Sequence, residues 1–195
     1  MSDPPVVLVV EDEPPLLEIY ASWLEDHYRV RTAGSGEEAL EQCDEEVAVV
    51  LLDRLMPGLS GDEVLAELRE REATVQVAMV TAVEPDFEIV SMGVDAYLTK
   101  PIKRDTVVDA VDRLLRRREY ADLGQEYYRL VSKRATLQAS KNGPALEASE
   151  EYARLAEAIE DLRGRLDDRE EEIDDEAFVA HVRQIDSEED PDDDV

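Results

Sequence analysis

Cysteine and histidine are scarce in this 195-residue chain, and each shortage excludes a class of site. Cys43 is the single cysteine, so the chain has neither a disulfide framework nor a zinc cluster. His27 and His181 stand far apart in the sequence and belong to no metal-ligand motif. No apolar run approaches the ~20 residues needed to span a membrane, and no signal peptide precedes the first apolar run. We therefore expect a soluble cytoplasmic protein.

Positive charge is also in short supply. The chain has 21 basic and 50 acidic residues, which gives a net charge of −29, and only four of the cations are lysines. Residues 1–118 carry a net charge of −14 and residues 119–195 one of −15, so the acidity is even. A broad basic face for nucleic acid is hard to reconcile with this balance, because phosphate contacts dominate that kind of affinity. Even acidity with few lysines favours a halophilic protein, kept soluble in very high salt, over an ordinary acidic one.

Apolar residues make up 43% of the chain, enough for a real core in one full domain with a smaller piece beside it. In the first 118 residues, five short apolar runs alternate with helical patterns, which predicts a parallel sheet with helices on both faces. The predicted strands are Val6–Val10, Tyr28–Thr32, Val47–Asp53, Val75–Val80 and Ala96–Thr99. The predicted helices are residues 14–24, 35–43, 60–71, 85–92 and 105–118.

Four of these strands end on polar side chains that can carry chemistry. The residues are Glu11 and Asp12 after the first strand, Asp53 on the third, Thr81 on the fourth and Lys100 on the fifth. Because the carboxyl ends of parallel strands share one edge of the sheet, we expect these side chains in one crevice. Three carboxylates there would repel one another, so the pattern predicts a divalent cation, and oxygen-only ligation points to Mg²⁺. The lysine and the hydroxyl suggest an anion with spare oxygens, such as a phosphoryl group.

Each of these residues also has a purely structural interpretation. Asp53 could only cap the turn after its strand, Lys100 could be a surface lysine, and Thr81 could simply pack at a strand end. Their coincidence at four separate strand ends favours the functional interpretation.

The segments VVLVVEDE, VVLLDRLMPGLSG, MVTA and AYLTKP carry a family resemblance. Together they resemble the receiver domain of two-component response regulators, over about residues 5–118. The resemblance implies an α/β, flavodoxin-like, doubly wound five-stranded parallel sheet with strand order 2-1-3-4-5. It also implies a phosphorelay protein rather than an enzyme acting on an external substrate, for which the chain offers no second catalytic constellation.

The resemblance assigns roles to the acidic residues. Asp53 would be the phospho-acceptor, taking a phosphoryl group from a partner histidine kinase. Glu11 and Asp12 would hold Mg²⁺ together with Asp53, and the backbone carbonyl of Leu55 would supply another ligand. Metal and lysine would neutralise charge during phosphoryl transfer.

The remaining motif residues would bind the phosphoryl group or act as a switch. Lys100, followed by Pro101, would pair with the phosphoryl oxygens. Thr81 would swing to hydrogen-bond the phosphoryl group, and Tyr97 would turn inward behind it.

Two departures from the family pattern lead to further expectations. The interval from Thr81 to Lys100 leaves only about two turns for the fourth helix, which argues against the usual dimer through that face. Leu55 and Val83, two residues beyond Asp53 and Thr81, offer no side chain to orient an attacking water. We therefore expect slow loss of phosphate.

Past Arg118 the apolar spacing approaches a heptad seam. An Asn142-Gly143-Pro144 break separates two amphipathic segments, which predicts an antiparallel α-helical hairpin over about 119–140 and 145–172. The seam positions are Tyr120, Leu123, Tyr127, Leu130, Arg134 and Leu137, then Tyr152, Leu155, Ile159, Leu162 and Leu166. A short helix over 174–185 and a disordered acidic tail over 186–195 complete the prediction. The domains are thus 1–118, 119–185 and the tail.

The second domain resembles the HalX domain found after receivers in halophilic archaea, over residues 118–185. That resemblance implies little mechanism, so the output stays open between two classes. A net charge of −15 favours a homodimerisation or partner-docking module. The alternative is a transcriptional regulator that binds DNA at high salt, for which Arg113–Lys141, with eight cations and three acids, is the basic candidate. Pairing of this stretch with the acidic second helix is the simpler explanation of its charge.

Overall fold

The structure is a computed structural model that describes residues 4–71, 73–83 and 92–170. The chain divides into two compact units, Met1–Leu115 and Arg116–Val195. The helix predicted over 85–92, except for its last residue, lies outside the described residues. The short helix and the acidic tail predicted over 174–195 also lie outside them.

The first unit is built on a five-stranded parallel sheet. Its strands are β1 (Val6–Val10), β2 (Arg29–Ala33), β3 (Val47–Asp53), β4 (Gln76–Thr81) and β5 (Ala96–Thr99). Their order is β2-β1-β3-β4-β5, which confirms the predicted α/β class and the strand order 2-1-3-4-5. All four neighbouring pairs are parallel, so the strands end along one edge of the sheet.

Helices cover both faces of this sheet. They are α1 (Pro14–Leu24), α2 (Gly36–Gln42), α3 (Gly61–Glu70) and the first turns of α4 (Arg104–Ser140). Apolar side chains of α2 and α3 share one core with the sheet, and those of α1 and α4 share the core on the opposite face. Because β1 and β3 lie between these two cores, all their residues are buried, as their unbroken apolar runs predict.

The loop after β3 is held tightly against the end of that strand. Ser60 caps α3: its hydroxyl accepts from the backbone N–H of Glu63, whose carboxylate accepts from the backbone N–H of Ser60. The backbone N–H of Gly61 donates to the carbonyl of Arg54 at 3.0 Å. A Cβ on Gly61 would lie 2.2 Å from the carbonyl oxygen of Asp53, so a larger residue would have to displace the backbone. The start of α3 therefore fixes the backbone at Asp53.

The helices after residue 103 correct one part of the prediction. A single helix, α4, spans Arg104–Ser140, where the sequence predicted separate helices over 105–118 and 119–140. The apolar phase shifts past Arg118, but the stretch RRREYADL around it contains neither glycine nor proline. A change of apolar face does not interrupt the backbone hydrogen bonds, so the helix continues. Two helices, α5 (Gly143–Glu147) and α6 (Glu150–Glu170), follow where one over 145–172 was predicted.

In the second unit the predicted seam contains the least exposed side chains. Leu123, Ile159 and Leu162 are buried, whereas Tyr128, one position off the seam, is 75% exposed. Beside the turn between the two long helices, the Gln138 amide donates to the Tyr152 hydroxyl at 2.8 Å. This hydrogen bond joins α4 to α6, and the burial of seam residues on both helices agrees with the predicted hairpin.

The ion pairs described in this unit join residues three or four apart within one helix, such as Arg118 with Asp122 and Arg165 with Asp161. The predicted charge pairing between the basic stretch of α4 and the acidic α6 therefore stays a prediction. None of the described helices is both long and apolar enough to cross a membrane.

Replacing Gly61 with alanine should lower the free energy of unfolding by ~1–3 kcal/mol, because the new methyl group would overlap the Asp53 carbonyl. The matched control is Gly164→Ala in α6, where a Cβ meets nothing within 4 Å. That change should add ~0.5–1 kcal/mol, since alanine restricts the unfolded chain more than glycine does. Denaturant unfolding in multimolar KCl measures both. A Gly61→Ala variant as stable as the parent would contradict the tight fit.

Candidate functional site

Two neighbouring strands bring three carboxylates together at the carboxyl edge of the sheet. Glu11 directly follows β1 and is 1% exposed, Asp12 comes next, and Asp53 ends β3 and is 5% exposed. Because β1 pairs with β3, Val10 opposite Leu52, the residues that follow are neighbours in space. One carboxylate oxygen of each of the three residues lies within 4.8 Å of the other two. We call these residues the acidic cluster.

Lys100 reaches the acidic cluster from the other side of β4. Its backbone N–H donates to the Thr81 carbonyl at 2.7 Å, which continues the β4–β5 ladder to the end of β5. Its ammonium donates to Glu11 Oε2 at 2.8 Å and to Asp53 Oδ2 at 2.9 Å. The peptide bond to Pro101 is cis. One cation thus bridges carboxylates from two different strands.

Burial and charge act in opposite directions on the acid–base balance of the cluster. Burial raises the pKa of Glu11, and the charge of Asp53 adds to the rise, while the hydrogen bond and charge of Lys100 oppose it. Burial lowers the pKa of Lys100, but hydrogen bonds to Glu11 and Asp53, with their charges, outweigh it and leave the pKa raised. Lys100 therefore stays an ammonium ion, and its charge opposes the rise in the pKa of Glu11.

The donor set fits a divalent cation. Oε1 of Glu11 is the one buried side-chain nitrogen or oxygen without a hydrogen-bond partner among the residues that the structure describes. Such an atom is costly unless another ligand satisfies it. The three carboxylates and Lys100 leave a formal charge of −2, which a divalent cation balances. Carboxylate oxygens are the ligands that Mg²⁺ prefers.

The second oxygen of Asp53 is held by the loop that follows it. Asp53 Oδ1 accepts from the backbone N–H of Leu55 at 3.2 Å. The Leu55 side chain is 62% exposed and that of Val83 is 37% exposed. The two positions from which a side chain could orient an attacking water are therefore apolar and exposed.

Thr81 and Tyr97 are joined through the backbone of Val83. Thr81 is fully buried, and its Oγ1 accepts from the backbone N–H of Val83 at 3.1 Å. The Tyr97 hydroxyl donates to the carbonyl of the same residue, also at 3.1 Å. Both hydroxyls thus bond to the backbone of the β4–β5 connection rather than to the acidic cluster, and the Tyr97 hydroxyl also faces Arg54.

Sequence reasoning missed two residues around the site. Arg54 directly follows Asp53, yet its side chain turns to Asp62 at the start of α3 and to Tyr97 on β5. Gly61 supports the Asp53 backbone, as described above. These contacts join residues of different elements, so the spacing of residues along one element could not predict them. The one indication in the sequence was the basic residue directly after Asp53.

Family models match both parts of the chain. Residues 7–112 match the response regulator receiver domain, and residues 116–182 match the HalX domain. A Haloferax volcanii protein, whose name gives transcriptional regulation as an inferred role, is 45% identical over 163 residues. That match covers 83% of this chain and 27% of the relative. The alkaline phosphatase synthesis transcriptional regulatory protein PhoP of Bacillus subtilis is 37% identical over 120 residues, 59% of this chain and 50% of that protein. The chain thus aligns with half or less of the length of these curated relatives.

Solved structures match the first unit. The response regulator TrrA of Thermotoga maritima, in complex with Mg²⁺ and beryllofluoride, is 34% identical with a TM-score of 0.52, over 57% of this chain and 99% of that one. The beryllofluoride-activated DrrB receiver domain is 28% identical with a TM-score of 0.52, over 56% of this chain and 96% of that one. With the family model over residues 7–112, these likenesses show that the chain belongs to the response regulator receiver family, a family of phospho-acceptors rather than conventional enzymes, and that a HalX domain follows its receiver.

Proposed function

We propose that this protein is a response regulator of a two-component phosphorelay, in which Asp53 accepts a phosphoryl group from a histidine kinase. The observation that carries the proposal is the bridge from Lys100 to Glu11 and Asp53, with Glu11 Oε1 left unsatisfied beside it. Asp53 supplies a nucleophile, Lys100 supplies a cation that can bind an anionic oxygen, and Glu11 Oε1 is an unsatisfied ligand oxygen. Phosphoryl transfer needs these parts.

In the transfer, a carboxylate oxygen of Asp53 attacks phosphorus as the bond from phosphorus to the kinase imidazole nitrogen breaks. The electron pair of that bond returns to the imidazole, and Asp53 becomes an acyl phosphate. Glu11, Asp12, Asp53 and the Leu55 carbonyl would hold Mg²⁺, which when bound neutralises phosphoryl charge. Lys100 already donates to Asp53, so a small side-chain movement lets it donate to a phosphoryl oxygen.

The switch would involve Thr81, Tyr97 and Pro101. A threonine hydroxyl can accept and donate at once, so Thr81 can keep its bond from Val83 N–H while its proton turns to a phosphoryl oxygen. Any shift of Val83 then reaches Tyr97, because the tyrosine hydroxyl donates to the Val83 carbonyl. Pro101 follows Lys100 directly, and its ring would restrict the backbone of that residue.

The C-terminal HalX unit would carry or relay the output. We favour a homodimerisation or partner-docking module, since the residues from 119 onward carry a net charge of −15 and the seam is a two-helix surface of limited area.

DNA binding at high salt is the second candidate. It is supported by the name of the Haloferax volcanii relative and by Lys133 and Lys141, for which the described residues supply no ion pair. Binding of duplex DNA measured in multimolar KCl separates the two outputs.

Asp53→Asn should abolish labelling by acetyl phosphate in the presence of Mg²⁺, because an amide cannot form the acyl phosphate. Asp44→Asn is the matched control: this exposed aspartate pairs with Arg31 away from the cluster and its loss should leave labelling unchanged. Intact-mass measurement reports both. Labelling retained in the Asp53→Asn variant would overturn the assignment of the acceptor.

The phosphorylated protein should lose its phosphate slowly, with a lifetime well beyond seconds, because the apolar Leu55 and Val83 cannot orient a water. Leu55→Asn supplies one hydrogen bond to that water and should speed hydrolysis about tenfold. Ile19→Asn, an exposed apolar residue on α1, should leave the rate unchanged. The decay of the labelled species tests both. A half-life of a few seconds in the parent protein would refute the prediction.

A further inference from the structure

The side chain of Arg54 connects three elements around the acceptor. Its Nε lies 3.1 Å from both carboxylate oxygens of Asp62, in the first turn of α3. Its Nη1 lies 3.5 Å from the hydroxyl of Tyr97 on β5. The arginine is 17% exposed, so water screens these contacts less than those of a surface arginine.

The Arg54 guanidinium restricts the hydrogen bonds that the facing Tyr97 hydroxyl can make. A guanidinium has only donors, so a phenol oxygen that faces it must accept and must send its own proton elsewhere. The proton goes to the carbonyl of Val83 at 3.1 Å. With Thr81 accepting from the N–H of Val83, both backbone polar groups of Val83 are engaged by predicted switch residues.

Asp62 is what keeps Arg54 in this orientation. Gly61 and Asp62 begin α3, and the backbone N–H of Gly61 also donates to the carbonyl of Arg54. The arginine is therefore held at its backbone by one residue of this turn and at its guanidinium by the next. A lysine could not replace it, because a compact ammonium lacks the planar set of donors that serves both Asp62 and Tyr97.

We infer that Arg54 is a positioning residue for the switch: anchored by Asp62, it orients the Tyr97 hydroxyl toward Val83 and so couples a charge change at Asp53 to Tyr97. The inference rests on the proposed function, since it concerns how phosphorylation of Asp53 is transmitted. Arg54 touches the readout side chain rather than the reacting atoms. Labelling of Asp53 should therefore survive its removal, while the response of Tyr97 should not.

The test uses the full chain labelled with ¹³C at the hydroxyl-bearing ring carbon of tyrosine, observed by NMR in multimolar KCl. Tyr97→Phe identifies the Tyr97 signal among those of the seven tyrosines. Spectra are recorded before and after addition of Mg²⁺ and beryllofluoride, the additions named for the matched Thermotoga maritima structure. Acetyl phosphate labelling is measured on the same samples.

Arg54→Met should shift the Tyr97 signal in the free protein and abolish its change on addition of beryllofluoride, with labelling retained. Arg54→Lys should not restore the response. Arg71→Met is the matched control, because Arg71 follows α3 and pairs with Glu67 of that helix. This change should leave the Tyr97 signal as in the parent. Asp62→Asn keeps the size of the side chain but removes its charge. It should reduce the change of the Tyr97 signal on addition of beryllofluoride, and it serves as the test if Arg54→Met fails to fold.

An Arg54→Met variant that is labelled and shows the parental Tyr97 signal and response would overturn the inference, leaving Arg54 as a tie between the loop and α3. A parent protein that cannot be labelled would refute the proposed function instead. The two failures are therefore distinguishable.

Discussion

Repulsion among buried carboxylates is the constraint on which the first unit depends. Glu11 and Asp53 are almost fully buried side by side, and Lys100, reaching across from β5, donates to both. One cation cannot balance three carboxylates, so the pocket carries a residual negative charge and an unsatisfied Glu11 oxygen. In a buried site such an imbalance is costly, which makes the pocket receptive to a metal ion and to a group that the metal accompanies. The same imbalance that opposes folding thus favours the proposed chemistry.

The surrounding fold holds this strained arrangement in place. The acidic cluster sits on β1 and β3, the two strands buried on both faces, so its backbone cannot relax toward solvent. The start of α3 packs closely against the Asp53 carbonyl at Gly61, and Arg54, in the loop after β3, contacts the Tyr97 hydroxyl. In concentrated salt the exposed ion pairs of such an acidic chain are heavily screened, since the Debye length falls to about 3 Å at 1 M. The ion pairs of Lys100 with Glu11 and Asp53 are buried and are screened less. They can therefore persist in salt that weakens the exposed ion pairs.

The sheet and the positions of the polar strand ends could be predicted from the sequence because both follow from local pattern. Unbroken apolar runs indicate buried parallel strands, and alternation with helices determines that their ends share one edge. The family motifs then supplied the strand order, which the structure confirms, and the roles that we propose for Asp53 and Lys100. The predicted division of this helix after Arg118 is wrong, because a shift of apolar phase does not end a helix and the stretch RRREYADL contains neither glycine nor proline. The contacts of Arg54 and Gly61 escaped because they join elements through the tertiary fold, which spacing within one element does not encode.

We propose that the acidic cluster supports phosphoryl transfer only when a divalent cation completes its charge balance. The most direct test is the rate of acetyl phosphate labelling of the parent protein as Mg²⁺ is titrated into the metal-free sample at constant ionic strength. No labelling should occur in excess EDTA, and the rate should rise with Mg²⁺ to saturation, as for one bound ion per chain. Labelling at the same rate with and without divalent cation would contradict it.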